Sequence, residues 1–233
     1  MIIGENIDDI NVQLPKDVRS KGKEPTGLDV HLVAVVRDAN GKVIKVHKQR
    51  SHSPTANFIG LMLPMVWFSN TNSSFTITNT TGGTCGNQPG GAPGSANIAY
   101  PNSGGNHNTY LVMIQVGSGQ LSNPYNAHTL AAPISNGTGA GQLSYGSVSV
   151  PSGITVSGGS AYFTISQSYT NNSGNTITIT EVGIIVEVQI TNSNNTWYAD
   201  CGNMLVWYDV LSSPISIPNN GGVTIYYTFS VGS

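Results

Sequence analysis

The stretch Asn175 to Ile190, NTITITEVGIIVEVQI, constrains the fold of this chain more than any other. Ile177 and Ile179 alternate with Thr176, Thr178 and Thr180, the period-2 pattern of a half-buried strand built from β-branched residues. After Glu181 the phase changes. Val182, Ile184, Val186, Val188 and Ile190 occupy the even positions, so an unbroken strand would turn its apolar face inside out. One extra residue near Val182 and Gly183 restores the phase, and glycine tolerates a bulge. The pattern predicts a long, bent, central strand, which needs a second sheet packed over it.

The remaining segments supply such sheets. LDVHLVAVVR (28–37) and VIKVHKQR (43–50) flank Asn40-Gly41, the strongest short hairpin signal because both turn positions need positive φ. Further strands are expected over 75–80, 109–116, 143–150, 161–170, 197–210 and 223–231. One helix is expected after Ser53-Pro54, with Ser53 as cap, Pro54 at its first position, Phe58, Leu61 and Met62 on one face, and Pro64 ending or kinking it. This adds up to an all-β chain: an antiparallel β-sandwich of jelly-roll or immunoglobulin-like type over residues 28–233, with long loops at 81–108 and 117–142. Residues 1–27 show no sustained period and read as an extended arm. Its apolar residues Ile3, Ile7, Ile10, Val12 and Leu14 either dock on a neighbouring subunit or belong to a disordered tail.

Charge narrows the function. All nine Lys and Arg lie between Lys16 and Arg50, and beyond residue 50 the only carboxylates are Glu181, Glu187, Asp200 and Asp209. A nucleic-acid-binding surface neutralises phosphates with Lys and Arg, so the body is not expected to be one. A surface of Asn, Ser, Thr and Gly hardly changes with pH, which suits a particle exposed to acid, or simply serves solubility. No run of about 20 apolar residues suggests a membrane span, and no basic segment followed by an apolar one suggests a secretion signal.

No motif points to an enzyme. His31, His47, His52, His107 and His128 are scattered without helical metal spacing, although His31 and His47 are candidates for neighbours across the hairpin. GxGxG at Gly137, Gly139 and Gly141 has no helix after it to hold a phosphate. Glu181 and Glu187 would fall on opposite faces of the bulged strand, which denies a catalytic carboxylate pair its geometry. No metal or other cofactor is expected. Cys85 and Cys201 are the only cysteines and are either bridged or two free thiols. Asn72, Asn79, Asn136, Asn171 and Asn194 each open an N-x-S/T sequon and are permissive glycosylation sites.

Three segments, IQVGSGQLSNPYNAHTLAAPI (114–134), YTNNSGNTITITEVGI (169–184) and LVWYDVLSSPISIPNNGGVTIYYTFSV (205–231), resemble virion structural proteins of tailed phages and archaeal viruses. Those proteins show a VGxG motif leading to Leu-x-x-Pro-Ile, an SGxxITVxEVG strand and a DVL-x-x-P segment before the last strand. Where they usually carry Arg before the Asp of DVL, this chain has Tyr208. The resemblance implies a non-enzymatic capsid, turret or tail subunit, found in the virion and partnered by copies of itself and other virion proteins. A thermophilic host fits that group. Contacts between copies are expected from the arm and from Phe58, Leu61 and Trp67 of the helix region. Two other readings stand beside it. One is a cell-surface filament subunit joined by strand exchange. The other is an adhesion module binding a host-surface glycan through Trp67, Trp197, Trp207, Tyr100, Tyr110 or Tyr125.

Overall fold

The computed structural model describes residues 27–51, 53–66, 76–86, 112–191 and 197–232. The first hairpin forms where its turn residues place it. Gly41 takes φ +79°, and Asp38 Oδ1 accepts the amides of Asn40 and Lys42. Strands β1 (Asp29–Arg37) and β2 (Val43–Ser51) pair antiparallel on either side. The other elements are α1 (Ala56–Val66), β3 (Thr76–Thr78), β4 (Thr84–Gly86), β5 (Val112–Gly117), β6 (Ser144–Ser149), β7 (Thr155–Ser157), β8 (Ser160–Thr170), β9 (Ile177–Thr191), β10 (Trp197–Ile217) and β11 (Gly222–Gly232). One large sheet runs β2-β1-β11-β8-β6, with β7 also on β8; a second runs β10-β9-β5; β3 and β4 form a small hairpin. Among the described residues every strand-to-strand pairing is antiparallel.

The main core lies between the two larger sheets. From the first come the inward residues Val30, Leu32, Ala34 and Val36 of β1, Val223, Ile225 and Tyr227 of β11, and Ile165 and Tyr169 of β8. From the second come Ile177, Ile179, Val182, Ile184, Met204 and Trp207. The phase change in β9 is therefore real, but it is not made by a bulge at Val182 and Gly183. There β9 pairs with β5 without a break, Val182 with Val116 and Gly183 with Gln115. The irregularity sits in β10, where the register passes from Val210 opposite Glu181 to Ile215 opposite Ile179, so Leu211–Pro214 loop out against Thr180. As a result Glu181 and Glu187 share one face of β9, contrary to the sequence reading, since Ile185 between them joins the outer cluster with Leu205 and Tyr208.

The helix also starts differently from its sequence signal. Ser53 does not cap it; its carbonyl accepts the Tyr208 amide while Thr55 N donates to Val206 O, so 53–55 runs extended beside β10. Thr55 is the cap residue, its carbonyl taking the amide of Phe58 and its hydroxyl bonding Leu205 O at 2.7 Å. The helix then continues through Pro64 to Val66. Buried Asn57 clamps β3 to the helix, donating to Thr78 O at 2.7 Å and accepting Thr78 N at 2.9 Å.

The loop at 117–142 is not an open excursion. Its first half lies over the outer face of the second sheet, where Ala127 and Leu130 pack with Ile185, Leu205 and Tyr208 in a second small core. The other predicted loop, 81–108, begins with the β3–β4 hairpin, tied to β10 by Thr80 N donating to Asn203 O; the rest of it and residues 1–26 lie outside the described residues.

Candidate functional site

Glu181 is fully buried, and everything around its carboxylate is a donor. Oε1 accepts Ala132 N at 2.7 Å and Gly119 N at 3.2 Å. Oε2 accepts Ala131 N at 3.0 Å and the Tyr208 hydroxyl at 2.8 Å. Charge-assisted bonds of this kind are about twice as strong as neutral ones, and four of them offset the cost of taking the carboxylate out of water. Tyr208 also accepts Leu121 N at 2.7 Å. Burial pushes its hydroxyl up to about 12; the Leu121 bond opposes that shift and the neighbouring Glu181 adds to it. The glycines of VGxG make the approach feasible. A Cβ on Gly117 would sit 2.7 Å from Glu181 Cγ and 2.8 Å from Ala132 O, and one on Gly119 would sit 2.7 Å from Ala131 Cβ. Glu181 thus pins the 118–134 segment onto the sheet, and its oxygens are turned into the protein rather than toward a substrate.

Asp209, a second buried carboxylate, joins the sheets. Its Oδ2 accepts Ser51 Oγ at 2.6 Å from β2 and the Tyr227 hydroxyl at 2.8 Å from β11. Trp207 Nε1 in turn donates to Ser51 Oγ. Burial, with Asp209 next to it, holds the Tyr227 hydroxyl well above its ordinary range. Both flanks of the fold are closed by similar side-chain contacts. On one, Gln167 of β8 accepts Ile114 N at 2.8 Å and donates to Gly146 O at 2.9 Å, while Tyr169 donates to Ile114 O. On the other, Gln49 of β2 donates to Val210 O at 3.1 Å and accepts Ser212 N at 2.9 Å, and Lys45 reaches Pro214 O at 2.8 Å.

The surface with unspent binding capacity is apolar. The inward face of the large sheet does not stop where the core stops. Beyond the buried row of Ile165 and Tyr227 come Phe163 opposite Phe229 and then Val156 opposite Ala161 opposite Val231. Leu28 lies one residue past the Asp29–Ser230 pair at the same end. Exposure rises outward, from 38% at Phe163 to 48% at Val231 and 76% at Val156, with Leu28 at 46% and Ile154 at 69%. The two Phe rings stack at 4.9 Å, and Trp207 meets Phe229 edge-on at 5.4 Å, so the platform is braced from inside by the core. Solvated, mutually adjacent apolar side chains of this kind mark interaction surfaces.

The sequence-based candidates are distributed as follows. Leu61 is buried in the core and Phe58 is half-buried with its ring edge-on to Trp207 at 5.5 Å, so the helix turns both inward and presents Ile59 to solvent. Ile3, Ile7, Ile10, Val12, Leu14 and Trp67 lie outside the described residues, as do Tyr100, Tyr110 and the side chain of Trp197. Of the proposed sugar-stacking aromatics, Trp207 is buried and Tyr125 is exposed. His31 and His47 are not cross-strand neighbours: His31 pairs with Arg50 and His47 with Ala34. His31 bonds Asp29, which also holds Arg50, whereas buried His47 bonds Gln49 at 2.9 Å. Cys201 is disulfide-bonded, and the chain's one other cysteine is Cys85 on β4. Asn171 is fully buried with Nδ2 bonded to Asn175 O and Ile217 O, which removes it as a glycan acceptor; Asn136 is exposed; Asn79 spends its Oδ1 on Thr81 and Gly83; Asn72 and Asn194 fall outside the described residues. Among the described residues no three His, Cys, Asp or Glu converge to hold a metal.

No protein-family model, curated protein or solved structure matches the chain.

Proposed function

We propose that the protein is a non-enzymatic structural subunit of a virion, in a capsid, turret or tail, that assembles with copies of itself through apolar contacts. On this reading the two facing sheets are a β-sandwich of jelly-roll or immunoglobulin-like type. The observation that carries it is the apolar platform of Phe163, Val231 and Val156, an inward-type sheet face that extends past its own core. Support also comes from how the polar interior is used. Glu181 and Asp209 hold a loop and two sheets in place, which gives a rigid body suited to repeated, identical contacts. The VGxG, EVG and DVL-x-x-P motifs that carry the likeness to virion proteins fall on this same frame, at Gly117 and Gly119, at Glu181 and Gly183, and at Asp209 with the β10 loop-out.

The test is the solution mass and negative-stain appearance of the full chain beside a Val156→Asp/Val231→Asp variant. Both positions are exposed, so the fold tolerates the charges. Discrete assemblies of the wild type that dissolve in the variant are the expected result. A wild type that stays monomeric at every concentration refutes the reading.

A further inference from the structure

The apolar platform lies where the N-terminal arm enters the fold. Leu28 belongs to it, Asp29 is already paired with Ser230, and Gly27 takes φ +77°, a left-handed turn at the boundary. The 26 residues before that turn contain one alternating apolar segment, Ile10-Asn11-Val12-Gln13-Leu14. In an extended conformation its three apolar side chains share one face over roughly 13 Å. The platform spans four strands, β7, β8, β11 and β1, a width of roughly 14 Å at the usual strand spacing.

We infer that this platform receives the Ile10–Leu14 segment of a second copy of the chain. The inference rests on the reading of the protein as an assembling subunit and supplies the contact by which it assembles. The connection between Leu14 and Leu28 favours a second copy over the chain's own platform. Pro15 and Pro25 bracket six charged residues, Lys16, Asp17, Arg19, Lys21, Lys23 and Glu24. Proline-bounded, charged linkers extend rather than fold back, and thirteen residues reach up to roughly 40 Å, well beyond the platform's own width. The contact is heterologous: the arm of one copy meets the platform of the next, so the same two surfaces repeat along a ring or an open array. The Ile10–Leu14 segment itself carries no charge, with Asp8 and Asp9 before it and Lys16 after it, and the platform offers apolar side chains that match Ile10, Val12 and Leu14 in character.

Complementation between two full-length variants tests this. The arm variant carries Ile10→Asp, Val12→Asp and Leu14→Asp; the platform variant carries Val156→Asp and Val231→Asp. Light scattering after size-exclusion chromatography reads the mass, and circular dichroism checks that each variant is folded. Each variant alone is expected to be a monomer of 24.4 kDa. An equimolar mixture is expected to form a two-chain species, because the platform variant's intact arm docks on the arm variant's intact platform and the chain of contacts ends there. Three results overturn the inference, and they differ. If the wild type is monomeric, the assembly reading falls with it. If the wild type and the arm variant both assemble, that reading stands and the arm is not the occupant. If both variants are monomers and mixing restores nothing, the arm does not serve a second copy.

Discussion

Replacing Glu181 by Gln removes one negative charge and turns one acceptor into a donor, in a pocket whose wall is otherwise made of donors. The best placement for the new amide keeps its oxygen on Ala132 N and Gly119 N and turns the NH2 toward Tyr208, whose hydroxyl can rotate to accept it. Ala131 N then faces a donor and loses its partner. An unsatisfied buried amide costs about 1–3 kcal/mol, and each bond that loses its ionic acceptor weakens by about 1 kcal/mol. The expected loss is about 3 kcal/mol, or a fall in Tm of about 6–12 °C for a domain of this size. Urea unfolding followed by tryptophan fluorescence measures it. Tyr208→Phe gives the second arm of a double-mutant cycle, with a coupling above about 0.5 kcal/mol expected because the two groups share one bond. A Glu181→Gln protein within about 0.5 kcal/mol of wild type would refute the assignment of this carboxylate as the anchor of the 118–134 segment.

Four further outcomes are expected. Gly117→Ala, which presses a methyl against the Glu181 side chain and Ala132 O, costs about 1–3 kcal/mol by the same unfolding assay, whereas an alanine at Gly153, which meets nothing within 4 Å, costs little. Reduction of the Cys201 disulfide removes a constraint worth about 5 kcal/mol for a loop of roughly 100 residues, read as a drop in the urea midpoint with reductant. Tyr145 and Tyr208 are pushed up to about 12 and Tyr169 and Tyr227 well above their ordinary value, by burial first in every case. A folded-state value raised above the unfolded one gives stability that is complete below pH 10 and lost as pH rises through about 12. Tyrosinate absorbance should therefore show these four tyrosines ionising late, together with unfolding. Expressed in a cell with N-glycosylation, Asn136 is the described sequon expected to carry glycan and Asn171 to carry none, as glycopeptide mass spectrometry would show.

Much of the frame is legible in local sequence. The Asn40-Gly41 hairpin, the strands over 161–170 and 223–231 and the apolar alternation of β9 all follow from short-range pattern, because each pairs residues whose spacing the pleat fixes. What local pattern misreads is set by distant partners. β2 carries Ile44 and Val46 to solvent and turns Lys45, His47, Gln49 and Ser51 toward the second sheet, the reverse of a simple apolar-in rule. Those polar side chains are wanted there by Val210 O, Ser212 N, Pro214 O and Asp209, all roughly 160 residues later in sequence. The phase switch of β9 was visible, but the bulge that accommodates it lies in β10, at LSSP, which reads as an end of strand. Nothing near Glu181 in sequence shows the three backbone amides that converge on it. The platform was hidden for a similar reason. Val156, Phe163 and Val231 are ordinary strand residues until the register lines them up beyond the edge of the core.

These long-range contacts also bear on how copies of the chain would join. Joining by strand exchange needs an open edge, with free amides and carbonyls to extend a ladder. At β5 that edge is occupied: Ile114 N and O are bonded to Gln167 and Tyr169, and Tyr145 approaches Val116 N. At β10 the amide of Tyr208 and the carbonyl of Val206 are taken by Ser53 and Thr55 of the same chain. An added strand at either place would first have to break buried bonds, each worth about 1 kcal/mol net and more if a group is left unpaired. Docking on the platform breaks none and removes apolar surface from water, at about 25 cal/mol per Å². Natural sheets often guard their edges with lysine, and beyond residue 50 this chain has none. Side chains from the facing sheet at β5, and the 53–55 segment at β10, take over that task at these two edges, which makes the sheet face a more favourable place for a partner than either of them.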